Sequence, residues 1–284
     1  LGAVGDPRVP SNEHARQIIL ETRFGLDLYV NLRPCKLLDA RFCPLKDKTP
    51  ADVDFTVFRE NTEGLYTGIG GIFKKGTPDE VAIQSSINTR KGVERIIRAA
   101  YEFADKNGKR RVCMSDKSNA LRYAHDVWQR VWKEVAAEYP GIESRHLYID
   151  VLAMELVRHP EDFEVIVTSN LFGDIVTDLG AALQGGLGMA ASANTNPERG
   201  IGMYEPVHGS APDIAGQGKA NPIAAVASTA LMLQSLGRVD DGAVIEQAIA
   251  LALAENATTP DLGGTLGTYG VRDFLVEAVQ RLGT

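Results

Sequence analysis

Short apolar runs alternate with longer amphipathic ones along this chain, the pattern of an α/β protein. Residues 53–61 (VDFTVFREN), 110–119 (RRVCMSDKSN) and 163–170 (FEVIVTSN) read as strands that end in polar residues. Residues 91–108 (KGVERIIRAAYEFADKNG) set Val93, Ile96, Ile97 and Ala100 at helical spacing and stop at Gly108. Residues 120–141 (ALRYAHDVWQRVWKEVAAEYPG) put Leu121, Ala124, Trp128, Val131 and Trp132 on one stripe, a core or subunit-contact face. NPIAAVASTALMLQSLG (221–237) is apolar nearly all round and predicts a buried helix. AVIEQAIALALAEN and VRDFLVEAVQRL close the chain as helices. The Gly-rich TGIGGIFKKGTP (67–78) runs into DEVAIQSSIN (79–88), which alternates with period two, so this stretch predicts an antiparallel hairpin or arm.

Composition narrows the class. At 284 residues, 44% hydrophobic and 24% charged, the chain is long for a single core, and two lobes are expected. A net charge of −7 argues against a nucleic-acid or anionic-membrane surface, so any anionic substrate must be held by local arginines. Three cysteines, Cys35, Cys43 and Cys113, without paired spacing suit a reducing cytoplasm and no disulfide framework. No apolar run has the length to span a bilayer. The opening LGAVGDPRVPS has no charged n-region or apolar h-region; it reads as the end of a strand entering a loop rather than a signal peptide.

Ligand sites in α/β folds lie at the carboxyl ends of strands, where this sequence sets Arg59, Glu60, Asn61, Asp116, Lys117, Asn119, Ser169 and Asn170. In SNLFGDIVTDLGAAL (169–183), Asp174 and Asp178 share one helical face, where like charges repel. From this stretch alone, two solvated acids near a helix start are as good a reading as a functional pair. With Asp150 they are hard oxygen donors suited to Mg²⁺ or Mn²⁺. His14, His125, His146, His159 and His208 lack ligand spacing and read as surface or core residues. The glycine-rich pieces form neither a dinucleotide fingerprint nor a P-loop. EPVHGSAPDIAGQGKANP (205–222) is a long Gly- and Pro-rich loop before a buried helix, and such loops are usually functional.

These pieces carry a resemblance. LDLYVNLRP, FRENTEGLY, SDKSNAL, SNLFGDIVTDLGA, EPVHGSAPDIAGQGKANP and TPDLGGTLGT, in that order along the whole chain, resemble the metal-dependent β-decarboxylating dehydrogenases. That family acts on isocitrate, 3-isopropylmalate, homoisocitrate and tartrate or D-malate. It implies a two-lobe α/β fold with a central mixed sheet. Residues 1–28 and 186–284 would form the cofactor lobe, and 29–185 the substrate, metal and dimerisation lobe with a β-arm around 67–90. Family members begin with a strand and a PGDGIG-like turn; the match starts after these, so the N-terminal part of the cofactor lobe is expected to be missing from this chain.

By the same resemblance, Arg23, Arg33 and Arg59 clamp the substrate carboxylates and Tyr66 is the general acid. Lys117 and Asp150 act with Tyr66 from the neighbouring subunit of a homodimer. Asp174 and Asp178, with Asp150 of the other subunit, hold Mg²⁺ or Mn²⁺, which explains why two acids tolerate one face. His208, Gly209, Ser210, Ala211, Asp213 and Asn221 form the cofactor loop, where an acid at 213 goes with NAD. Ile19 and Leu20 face the variable group of the substrate and favour a branched alkyl tail, the isopropylmalate of leucine synthesis. FRENTEGLY and VNLRP fit tartrate or D-malate equally, and Arg16 leaves homoisocitrate open. The implied reaction is NAD-dependent oxidative decarboxylation of a 3-substituted malate.

Overall fold

The computed structural model describes residues 1–9 and 13–283; the side chain of Arg16 also lies outside the described part. A seven-stranded mixed sheet runs through the molecule. In chain order its strands are β1 (Val30–Lys36), β2 (Asp54–Glu60), β5 (Arg111–Asp116), β6 (Glu143–Tyr148), β7 (Val165–Thr168), β8 (Ala191–Asn196) and β9 (Ile201–Pro206). The spatial order is β6-β5-β7-β2-β1-β8-β9. The first four are mutually parallel, whereas β1, β8 and β9 join antiparallel. A separate hairpin, β3 (Gly70–Phe73) with β4 (Val81–Gln84), stands off the sheet and is exposed along both strands. It is the antiparallel hairpin expected from the period-two pattern. The expected strand end at the N-terminus is not present: residues 1–6 adopt no regular structure and 7–9 form a turn.

Eight helices complete the described chain: α1 (Glu13–Gly25), α2 (Arg90–Lys106), α3 (Arg122–Ala137), α4 (Ile149–Arg158), α5 (Asn170–Leu183), α6 (Ile223–Ser235), α7 (Val239–Ala254) and α8 (Thr268–Leu282). Helix α2 begins where the Thr89 side chain accepts from Gly92 N. Its predicted stripe, Val93, Ile96, Ile97 and Ala100, is fully buried and meets Trp128 and Val131 of α3 on one face of the sheet. Leu121, assigned to the α3 stripe, precedes the helix instead and is exposed, because the chain is still turning out of β5 there. The opposite face of the sheet buries Cys35, Phe55 and Val57 against α4 and α5. Helix α5 lies unusually close. A Cβ on Gly173 would come within 2.6 Å of Arg59 Cβ, and one on Gly180 within 2.5 Å of Cys35 Sγ. Two glycines seven residues apart thus clear two turns of one helix face to rest on β1 and β2.

A third apolar cluster lies under α7 and α8. Helix α6 joins it through Ile223, but Ala225 and Thr229 are exposed, so the expectation of an all-round buried helix holds for one side only. The three cysteines are free, two of them buried. Among the described residues no helix is long and apolar enough to cross a membrane.

Candidate active site

Residues facing each other across antiparallel strands point to the same side, and alternate residues along a strand share a face. Arg33 of β1 lies opposite Val57 of β2, so Arg33 and Arg59 are diagonal neighbours on the α5 side of the sheet. Both are almost wholly buried. Arg59 reaches the start of α5, where its Nε and Nη2 donate to Asn170 Oδ1 at 3.1 and 2.7 Å and its Nη1 to Asp174 Oδ1 at 2.5 Å. Arg33 Nη2 lies 3.4 Å from the same Asp174 oxygen, and its Nη1 donates to Thr177 Oγ1. Burial, then mutual repulsion with Arg33, pulls Arg59 down to about 9, which leaves it cationic at neutral pH. Burial alone would raise Asp174, but Arg59, Arg33 and Tyr66 hold its carboxyl below the usual range.

Tyr66 sits on the turn that follows β2. The buried Glu60 carboxylate ties that turn by accepting from Thr62 N, Thr62 Oγ1 and Glu63 N. Burial pushes Glu60 up to about 7 against those three donors. Gly64 takes a positive φ of 81°, the conformation the turn needs and glycine supplies. Tyr66 Oη then donates to Asp174 Oδ2 at 2.8 Å, and its ring lies 5.2 Å from the Arg59 guanidinium. Partial burial, then the hydrogen bond to Asp174, raises the phenol. Four sequence-predicted residues, Arg33, Arg59, Tyr66 and Asp174, therefore form one connected group.

Asp178, one turn beyond Asp174, has no hydrogen-bond or salt-bridge partner among the described residues. Partial desolvation and the like charge of Asp174 push it up. An unpartnered acid beside a second acid suits a divalent cation, and the all-oxygen donors suit Mg²⁺ or Mn²⁺. No group of three acidic, histidine or cysteine donors clusters among the described residues of one chain.

Lys117 and Asp150 form a pair of their own. Lys117 follows β5, Asp150 lies in the first turn of α4, and Nζ donates to Oδ1 at 2.5 Å. That bond, before all else, holds Asp150 below its usual value. The Lys117 ammonium also lies 5.7 Å from the Tyr148 ring, whose edge meets His146.

Arg23 closes a separate buried pair with Glu205 of β9 at 3.0 Å, and Asn194 Nδ2 donates to the same Glu205 oxygen. A cleft of about 230 Å³ brings Ile19 and Arg33 together with Gly2–Gly5 and with His208, Gly209 and Ser210. Leu20, half-buried, does not line it. Further along the loop Ala211 adopts a positive φ of 42°, and Ala211 and Asp213 are exposed. Asn221 is buried beneath the loop: its Oδ1 accepts from Ile223 N at the start of α6 and its Nδ2 donates to Asp261.

From the sequence, Glu205 and Thr177 have no role and His125 and His146 read as surface or core residues. Glu205 stood in the loop motif as a residue without a role. His125 and His146 carried no ligand spacing, yet both touch the Lys117 corner.

The isocitrate/isopropylmalate dehydrogenase family profile matches residues 1–278. The chain belongs to that family. It is 50% identical over 284 residues to the 3-isopropylmalate dehydrogenase of Thermobifida fusca, covering 100% of this chain and 79% of that protein. It is 48% identical over 272 residues to the one of Streptomyces griseus, covering 94% and 78%. Its fold superposes on the crystal structure of isocitrate dehydrogenase from Methylococcus capsulatus with a TM-score of 0.89 at 36% identity, covering 98% of this chain and 80% of the other.

Proposed function

We propose that the protein is an NAD-dependent 3-isopropylmalate dehydrogenase, which oxidises and decarboxylates its substrate in cytoplasmic leucine synthesis. The observation that carries this reading is the convergence of Arg33, Arg59 and Tyr66 on Asp174, with Arg33 also lining the cleft that holds Ile19. Two buried guanidiniums match a dicarboxylate, since arginine pairs carboxylates in bidentate fashion. Ile19 offers an apolar wall to an alkyl tail, which favours isopropylmalate over the hydroxylated tartrate. The names of the relatives at 46–50% identity support the same choice.

A divalent cation and NAD, when bound, supply Lewis-acid polarisation of the 2-hydroxyl and a hydride acceptor. Asp174 and Asp178, with Asp150 of the partner copy, would hold the cation, and His208–Ser210, Asp213 and Asn221 the nucleotide. Residues 1–28 and 186–284 would make the cofactor lobe and 29–185 the substrate lobe. Arg33 and Arg59, joined by Arg23, fix the substrate carboxylates. Lys117 in its neutral form, with Asp150 beside it, would accept the 2-hydroxyl proton directly or through water as the C2 hydrogen leaves as hydride. The C3–carboxylate bond of the 3-carboxy-2-oxo acid then breaks, releasing CO₂, and Tyr66 delivers its proton to C3.

Shared sites imply a homodimer. Support comes from the exposed apolar residues of the arm, Ile72, Phe73, Val81 and Ile83, and from Met154, Val157 and Ile175 on α4 and α5. The test is a panel of 3-isopropylmalate, D-malate, tartrate, homoisocitrate and isocitrate with NAD and Mn²⁺, followed by NADH absorbance. The reading requires 3-isopropylmalate to have the highest kcat/KM; another preferred acid, or no turnover, overturns it. Mixed Tyr66→Phe and Lys117→Ala protomers should regain activity that neither has alone. No complementation after confirmed subunit exchange would put all these groups in one chain.

A further inference from the structure

Lys117 carries its ammonium on a four-carbon stem with many rotamers, yet Nζ must arrive at one position. Its peptide is unusually well held. The Lys117 carbonyl accepts from Ala120 N at 3.0 Å and Leu121 N at 2.8 Å. Its N–H donates to Nδ1 of His125 at 2.9 Å. His125 lies in the first turns of α3 and is 2% exposed. Because Nδ1 accepts from a backbone N–H, it carries no hydrogen, so the ring is the neutral Nε2–H tautomer. Burial pulls its pKa down, in keeping with that neutral form. The ring meets Phe172 edge-on at 5.5 Å, and Phe172 belongs to α5, the helix that bears Asp174. One imidazole thus ties the chain segment of the lysine to α5 of its own subunit, while Nζ would serve the neighbouring subunit's site.

We infer that His125 is a positioning residue: its Nδ1 anchors the Lys117 peptide and its ring sets that anchor against α5, so that Nζ reaches its working place. This rests on the function proposed above. A histidine that merely filled the core would need only its shape. A positioning histidine needs the acceptor atom, because the Lys117 N–H is otherwise orphaned.

Two variants separate these roles. His125→Phe keeps a ring against Phe172 and removes the acceptor. His125→Asn removes the ring and offers Oδ1 close to where Nδ1 stood. With 3-isopropylmalate, NAD and Mn²⁺, His125→Phe should lower kcat by roughly tenfold to a hundredfold, the scale of an ångström-sized misplacement. KM should stay within about twofold, since Lys117 acts in the chemical step. His125→Asn should recover most of kcat even though it loses more packing and melts lower. Acetic anhydride labelling of Lys117, read by mass spectrometry, reports how firmly Nζ is held whether or not the substrate turns over. It should be faster in His125→Phe than in the wild type and His125→Asn. If wild-type protein turns over none of the acids, the functional reading fails and the labelling still decides the anchor. Equal labelling in all three proteins, or a kcat order that follows melting temperature, overturns the inference.

Discussion

Tyr66 and Asp174 share a 2.8 Å hydrogen bond on one carboxylate oxygen while Arg59 holds the other oxygen at 2.5 Å. The proposed general acid and an acid of the candidate cation site are therefore in direct contact. Whatever binds Asp174 must compete with both, so cation binding and release of the phenol are linked.

Tyr66→Phe should keep the ring on Arg59 and lose the proton donor. Turnover should fall by about 10²–10⁴, the usual worth of general acid catalysis. Single-turnover NADH formation should fall far less than CO₂ release. Wild-type steady-state turnover in this variant would exclude Tyr66 as the acid.

Asp174→Asn removes one of the paired charges. Its Mn²⁺ affinity should drop tenfold or more, about 1.4 kcal/mol, read by calorimetry. An unchanged isotherm would show that Asp174 is not a ligand.

Asp116 gives the chain a pH dependence unrelated to any cofactor. Burial alone would raise this carboxyl, but His146, Ser118 N and Gln129 hold it below 3.8. A folded-state value below the unfolded one stabilises the protein above pH 3.8, and this is lost as pH falls through the folded value. Asp116→Asn should cost about 1.5–3 kcal/mol at pH 7, the range for hydrogen bonds to a charged group. Urea unfolding from pH 7 to 3 should show the two proteins converging on the acid side. A difference independent of pH would deny the carboxylate this role.

The Arg23–Glu205 pair is buried on both sides. Glu205→Ala leaves a buried guanidinium uncompensated and should destabilise by about 3–5 kcal/mol. Glu205→Gln keeps an oxygen for Arg23 and Asn194 and should cost clearly less. Equal midpoints for the two variants in urea would assign the effect to packing alone.

Cofactor choice is predicted from Asp213, exposed on the loop beyond His208. A carboxylate accepts from the ribose hydroxyls and repels a 2′-phosphate. NAD should exceed NADP by at least roughly a hundredfold in kcat/KM, about 2.7 kcal/mol. Asp213→Lys with Ile214→Tyr should erode or invert that ratio and leave Mn²⁺ affinity alone. Equal efficiencies in the wild type would refute it.

The legible parts were those with a period or a motif. The α2 stripe, the strands β2, β5 and β7 and the arm announce themselves through apolar spacing. The antiparallel strands β8 and β9 do not. Ser192, Asn194 and Asn196 of β8 are buried polar residues whose hydrogen bonds replace the apolar alternation that marks a strand. In the site, Arg33, Arg59, Tyr66 and Asp174 sit in motifs, whereas Glu205 gains meaning only once folding sets it against Arg23, 182 positions away. His125 reads from the sequence as a surface or core residue and is buried, but its contact with Lys117 is a tertiary one made at a strand-to-helix corner, which no spacing announces.

The sheet has a narrow isthmus. Strand β1 pairs with β2 along seven residues but with β8 along only three, Val30 to Leu32. Asn31 and Asn61 both donate to Asn194 Oδ1 there, at 2.9 and 3.0 Å. The β8–β9 ribbon and the loop that follows it thus hang from the rest of the sheet by a short ladder backed by amides. The same junction is crossed by Arg23 on Glu205 at 3.0 Å and by Asn196 Nδ2 on the Asp27 carbonyl at 2.9 Å. Directional polar bonds, rather than apolar packing, therefore fix how the ribbon sits against β1, along the edge where the cleft of Arg33 and Glu205 opens.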